Sequence, residues 1–214
     1  MRLTLFLVPL ALFAAATPKY PIDNADVRVI DVVEQPHEKT KMHEHKVNRV
    51  MIYRNAGAQD FEFGGGKKSV LKFSENQVMW SPAGGMHAAA VSTPNPVGVV
   101  EIELKKPGAG KKVTSALDPL KVDPKHYKLE FENDQVRVLR VRFGAHEGAP
   151  LHEHQLTRII LYLTDSKTRV TAADGTVDET PHKAGDIVQG GPTKHSEINT
   201  LDHPVEVIVT ELKY

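Results

Sequence analysis

His152-Glu153-His154-Gln155-Leu156-Thr157-Arg158-Ile159-Ile160-Leu161-Tyr162 has a counterpart 109 positions upstream, His43-Glu44-His45-Lys46-Val47-Asn48-Arg49-Val50-Met51-Ile52-Tyr53. The match extends in both directions. Upstream, Val27-Arg28-Val29 returns as Val136-Arg137-Val138, and His37-Glu38 returns as His146-Glu147. Downstream the offset shortens to 108: His87 meets His195, Pro96-Val97 meets Pro204-Val205, and Glu103-Leu104-Lys105 meets Glu211-Leu212-Lys213. The chain therefore contains one unit twice. Eight of its eleven His fall into four equivalent pairs, 37/146, 43/152, 45/154 and 87/195. A purely structural repeat would keep apolar positions and turns. Imidazoles are costly to bury, so keeping them while the surroundings diverge points to a shared site.

The elements of each unit read as strands. Residues 27–33, 49–54, 97–104, 136–143, 158–163 and 205–212 are rich in Val, Ile and Leu and are bounded by Gly, Pro and Asn. Ala173-Asp174-Gly175-Thr176 is a hairpin signal, with Asp-Gly suited to a type I′ turn, and Gly64-Gly65-Gly66 stands at the matching place. Outside the N-terminal stretch no long window has the 3.6-residue apolar stripe of a helix. Many short strands per unit predict an all-β chain of two tandem barrels or sandwiches. The Lys, Pro and Gly of residues 105–112 read as a solvated connection. The expected organisation is a signal peptide over 1–16, a first domain over 17–105, a linker over 106–123 and a second domain over 124–214.

In a strand, alternate residues share a face, so His152, His154, Leu156, Arg158, Ile160 and Tyr162 are expected to line one side, as are His43, His45, Val47, Arg49, Met51 and Tyr53. Imidazoles at i and i+2 stand roughly 6–7 Å apart at the backbone. Their tips can converge on one ion at about 2.1 Å. His87 and His195 are the repeated candidates for a third ligand. The opposite face, Val50, Ile52, Ile159 and Leu161, is expected to pack either the sheets of each barrel or the two lobes on each other. His37 and His146 read either as rim acid/base groups or, preferably, as loop residues that fix a turn. Tyr53 and Tyr162 either donate a hydrogen bond in the cavity or pack in the core. Trp80 reads as core, and His126, His182 and His203, which have no repeat partner, as surface.

These residues resemble the two motifs of the cupin superfamily. The first motif is a His-x-His followed by a Glu, and the second a Pro-x-Gly-x-x-His followed by an Asn. Pro82-Ala83-Gly84-Gly85-Met86-His87 matches the middle of the second motif, and Gly185, Pro192, His195 and Asn199 match its second copy. The resemblance covers both units and implies two tandem jelly-roll barrels. It also implies a divalent transition metal (Fe, Mn, Ni, Cu or Zn) held by His43, His45 and His87, and by His152, His154 and His195. Two departures stand out. The motif's Glu is replaced by Arg49 and Arg158, and Val91 stands where the first copy would carry Asn. A guanidinium facing a dication is unfavourable unless an anion lies between them. Either Arg and metal clamp a carboxylate together, or Arg pairs with an internal acid and the site binds an organic ligand without metal.

The resemblance implies a metal-dependent enzyme, dioxygenase-like as in the quercetinase-like cupins or else an isomerase. In either case Arg49, Arg158, Tyr53 and Tyr162 would position a small anionic substrate. The alternative is a non-catalytic binder of a carboxylate or sugar acid. A homodimer is a further implication of the family. Arg2, the apolar run 3–13 and Ala14-Ala15-Ala16 read as a cleavable signal peptide, giving a secreted or periplasmic protein with no membrane association after cleavage. The 27 basic residues balance 27 acidic ones, so no charge excess argues for nucleic acid. Without Cys, stability must come from burial and any bound metal.

Overall fold

The computed structural model describes residues 17–214. The signal peptide expected over 1–16 lies outside the described residues. The first lobe runs through β1 Lys19–Asp23, β2 Val27–Glu34, β3 His43–His45, β4 Arg49–Tyr53, β5 Gly57–Phe63, β6 Lys68–Phe73, β7 Gln77–Ser81, β8 Gly84–Val91 and β9 Val97–Leu104. A short helix, α1 Pro119–Val122, precedes the second lobe. That lobe comprises β10 Tyr127–Glu132, β11 Val136–Phe143, β12 Gly148–His154, β13 Arg158–Tyr162, β14 Ser166–Ala172, β15 Val177–Asp178, β16 Pro181–His182, β17 Ile187–Gly190, β18 Thr193–Asn199 and β19 Val205–Leu212. The six apolar runs read from the sequence are β2, β4, β9, β11, β13 and β19, within a residue at their ends.

The ladders between these strands are antiparallel, and each lobe is two sheets facing one another. In the first lobe the sheet β1-β2-β9-β4-β7 faces β3-β8-β5-β6. In the second, β10-β11-β19-β13-β17 faces β12-β18-β14-β15, with β16 added against β14. These are two tandem jelly-roll barrels. Alternation in the strands gives each of the two larger sheets two apolar faces. Tyr53, Phe73, Val91, Val97 and Val99 fill the first barrel, and Tyr127, Leu139, Val141, Phe143, Val205 and Val209 the second.

The other faces meet. Val27, Val29, Val50, Ile52, Ile102 and Leu104 of the first lobe join Val136, Val138, Ile159, Leu161, Ile208 and Leu212 of the second in one continuous buried cluster. Of the two alternatives left open for Val50, Ile52, Ile159 and Leu161, lobe-on-lobe packing is the one formed. Trp80 packs against this cluster and meets Phe131 edge-on at 6.3 Å.

Two local expectations are corrected. Asp174-Gly175 does not form a type I′ turn, which needs positive φ at both central residues: only Gly175 is left-handed (φ 86°). Its N–H bonds Ala172 O, and Ala172 N–H bonds Thr176 O, so the turn closes with a glycine bulge. The His-x-His strand and the Arg strand are not one continuous element. β12 and β13 lie in facing sheets of the barrel, and the chain crosses over at 155–157. Residues 105–112 of the connection are largely exposed, as their composition suggests. Further on, Asp118 caps α1, accepting from Leu120 N–H at 3.2 Å, and pairs with the buried Arg137, while Leu117 O accepts from Glu153 N–H at 2.8 Å.

His37 and His146 hold left-handed backbone (φ 61° and 58°) at the same place in both lobes, as turn residues do.

Candidate metal centre and its asymmetric copy

In both lobes antiparallel register, not local sequence, brings the third imidazole in. His43 stands directly across from His87 on β3 and β8, and His152 across from His195 on β12 and β18. The ladder is irregular between His43 and His45 in the first lobe and between Ala149 and His152 in the second. The ligand nitrogens of each triad lie within 4.8 Å of one another, a spacing at which three imidazoles can converge on one point.

The second triad is the more buried: His152 is fully enclosed, and His154 and His195 nearly so. His152 Nδ1 donates to Pro150 O at 2.8 Å, and His154 Nδ1 donates to Glu211 Oε1 at 2.7 Å. Those bonds fix the tautomers and leave each Nε2 as a lone pair facing the barrel. Burial draws both imidazoles below their usual pKa, and Arg158 adds to the effect at His154. Neutral rings are what a metal ion requires.

A carboxylate completes the group. Glu197, two residues after His195 on β18, places Oε1 3.8 Å from His152 Nε2 and 3.9 Å from His195 Nε2. Burial alone would raise its pKa, but His195, Tyr127 and His152 outweigh that and hold it ionised down to about 2. Tyr127 Oη donates to Glu197 and lies 3.1 Å from His152 Nε2. Its phenol is pushed well above its ordinary value by burial and by the Glu197 charge, so it stays a donor. Three imidazoles with an anionic oxygen beside two of them offer the donor types that a first-row divalent ion takes.

Arg158 projects into the same cavity of about 370 Å³, together with Ile160, Tyr162 and His182. Its guanidinium donates to Gly191 O and forms no ion pair among the described residues. Burial draws its pKa down, with Glu211 and Glu197 opposing. Tyr162 stacks on His182 (4.0 Å between centroids, 19° between planes), and burial raises it to about 12.

The first triad has different neighbours. Arg49 Nη1 donates to His45 Nε2 at 2.8 Å and to Glu101 Oε2 at 2.6 Å, while Nη2 donates to Ser81 Oγ at 2.8 Å. His43 Nε2 and His45 Nε2 are 3.1 Å apart. Burial and then the Arg49 charge lower His45 to about 3. Tyr53 is core: it stacks on Phe73 at 3.9 Å, and its hydroxyl donates to Gln59 at 3.3 Å.

All six His expected as ligands are therefore drawn into two clusters, with Arg49 and Arg158 beside them. Two of the expected surface His are not on the surface. His126 is buried, its Nδ1 bonded to Asp123 at 2.7 Å and its Nε2 to Glu147 at 3.3 Å, and His182 is a wall of the second cavity. Glu197, Tyr127, Glu211 and Glu101 escaped the sequence reading. The i+2 spacing from His195 would have flagged Glu197, but the repeat hid it, since Ala89 is its counterpart. Asn199, read as a motif residue, donates to Gly144 O and His203 O and so ties loops rather than facing the centre.

No protein-family model matches the sequence, and no curated protein matches it. Solved structures do. AerE from Microcystis aeruginosa superposes with a TM-score of 0.70 at 12% identity over 96% of each chain. A cupin 2 conserved barrel domain protein from Leptotrichia buccalis gives 0.57 at 10% identity, covering 94% of this chain and 90% of that one. A variant of oxalate decarboxylase from Bacillus subtilis, an enzyme with Mn(II) centres, gives 0.64 at 13% identity, covering 92% of this chain and 72% of that one. The fold of this chain is thus that of a tandem, two-barrel cupin.

Proposed function

We propose that the chain is an exported two-lobed cupin whose second lobe holds a divalent transition metal and acts there on a small carboxylate, in a dioxygenase-like oxidation. The observation that carries this reading is the pairing of two features in one cavity: a three-His group with Glu197 beside it, and the buried Arg158 without a carboxylate partner. A guanidinium held out of water with spare donors is a receptor for a planar anion. The ion, when bound, supplies a Lewis acid and, for Fe, Mn or Cu, a redox centre.

The chain's own groups do the rest. Arg158 orients the carboxylate. Tyr127 Oη holds a proton between Glu197 and His152 Nε2, where it can be lent to a substrate oxygen. Val141, Phe143, Ile160 and Val209 line the cavity and keep it dry. Mn(II) in the structurally similar oxalate decarboxylase favours a redox-capable ion here.

The test is dioxygen uptake by metal-loaded protein offered a panel of small carboxylates. Uptake that disappears in a His152→Ala/His154→Ala variant, together with its metal, is the expected result. Unchanged metal content and turnover in that variant would sink the reading. Carboxylate affinity that survives metal stripping, with no turnover by loaded protein, would make the second lobe a binding module instead. Export is checked by fractionating cells that express the full chain, with the shortened protein expected outside the cytoplasm.

A further inference from the structure

The first lobe carries the same three imidazoles around a chamber of about 1040 Å³, yet three features set it against a metal ion. The lone pair of His45 Nε2 that would bind an ion already accepts from Arg49. That guanidinium cannot easily leave: its side chain is only 8% exposed and is held by Glu101 and Ser81. An ion bonded to His45 would sit against this fixed positive charge in a low-dielectric site, where like charges repel strongly. At the position of Glu197 stands Ala89, so no carboxylate on that strand offsets a dication. Finally, Glu103, the counterpart of Glu211, pairs with Arg28 at 2.6 Å rather than backing an imidazole. These residues do not fit a metal.

What they do fit follows from the donors and acceptors left over. His43 Nδ1 donates to Lys41 O and His87 Nδ1 donates to Gly85 O, both at 2.8 Å; His43 Nε2 lies 3.1 Å from His45 Nε2, so His87 Nε2 is the acceptor left to the chamber. Met51, Phe61, Phe63, Leu71 and Met79 form its walls, with Phe61 5.5 Å from the His87 ring. The charge of Arg49 is matched by Glu101 beside the imidazoles.

We infer that Arg49 takes the place of the ion in the first lobe, and that the chamber binds an uncharged, mostly apolar molecule presenting an O–H or N–H donor to Nε2 of His87. A carboxylate would face lone pairs and Glu101 instead. This inference goes beyond the reading of the second lobe and does not depend on it.

Two measurements on the full chain test it. The first is metal content after loading with Mn(II) or Fe(II). A His43→Ala/His45→Ala/His87→Ala variant is expected to keep the wild-type content, and Arg49→Glu to gain about one further equivalent by restoring the Glu of the first motif. Arg49→Gln, which removes only the charge, gives the same reading should Arg49→Glu fold poorly. Metal lost from the folded triple variant overturns the inference, as does wild-type content near two. A wild type that takes no metal at all sinks the second-lobe proposal and leaves this one standing.

The second measurement is calorimetric titration of chelator-treated protein with β-naphthol and β-naphthoate, which share a ring system and differ in the polar end. β-Naphthol is expected to bind at one site that survives the loss of His152, His154 and His195 and is lost in Phe61→Ala. β-Naphthoate should bind that site at least about tenfold more weakly. Absence of β-naphthol binding, or a preference for β-naphthoate in the first lobe, overturns the ligand class.

Discussion

Glu197 and Tyr127 do at the second centre what the missing motif Glu does not. Glu197 brings a negative charge to the Nε2 side of His152 and His195, and Tyr127 holds its oxygen in place. Glu197→Gln keeps the shape and removes the charge, so it should weaken metal retention by at least about tenfold; Tyr127→Phe, which loses an orienting bond only, should weaken it by about tenfold or less. Competition with a chelator measures both, and equal retention by Glu197→Gln and wild type would remove Glu197 from the ligand set. A pH prediction belongs at the same scale. Burial raises the phenols of Tyr53, Tyr127, Tyr162 and Tyr214 above their ordinary value of 10, Tyr162 to about 12. A group whose pKa is raised by folding contributes stability that is present below its unfolded value and lost as pH climbs through the folded one. Stability should therefore fall from about pH 10 to about 12, with the rise in tyrosinate absorbance lagging until the chain unfolds. A smooth ionisation of every tyrosine near pH 10 in the folded chain would contradict this burial.

Among the elements, β12 and β18 set the geometry of the second centre, and a single glycine controls how closely they run. A Cβ on Gly148 would lie 2.0 Å from Glu197 O and 2.7 Å from Ile198 Cα, so no side chain fits without moving β18. Gly148→Ala should cost about 1–3 kcal/mol of stability and loosen the metal, because Glu197 and His195 ride on the displaced strand. A thermal melt and metal titration measure the two effects, and a variant with wild-type values would mean the strands have slack. The strands themselves were legible: Val-, Ile- and Leu-rich runs bounded by turn residues announce β2, β4, β9, β11, β13 and β19, and the repeat announces two barrels. The six His were legible for the same reason. Glu197 was not, because the repeat directs attention to what both copies share and Ala89 breaks the match. The fate of Arg49 and Arg158 was not legible either. Whether a guanidinium finds an acid depends on cross-strand register, and Glu101 sits opposite Met51 of β4, two residues from Arg49 on the same face, whereas its second-lobe counterpart is Val209. His126 and His182 were misread because their partners, Asp123, Glu147 and Tyr162, come from folding rather than from any repeated pattern.

At the scale of the whole molecule the lobes are not beads on a string. The larger sheet of each barrel has a second apolar face, and Val50, Ile52, Ile159 and Leu161 press those faces together in one cluster with no water-exposed member. An interface of this kind behaves as core: separating the lobes would expose two apolar sheet faces at about 25 cal/mol per Å². Neither barrel should then survive long without the other, and the chain should unfold in a single transition despite its duplicated architecture. Ile159→Ala, at a residue only 1% exposed, should lower stability by about 2–5 kcal/mol through lost burial and a cavity between the sheets. The informative readout is which lobe responds. Trp80 belongs to the first lobe yet packs on the shared cluster, so its fluorescence reports on that lobe while the altered residue lies in the other. If the lobes are one cooperative unit, the Trp80 transition in urea moves to lower denaturant by the same amount as the transition followed by circular dichroism. A Trp80 transition that stays put while the second lobe melts early would mean that the shared cluster fills space without coupling the barrels. The two sites would then have to be regarded as independent.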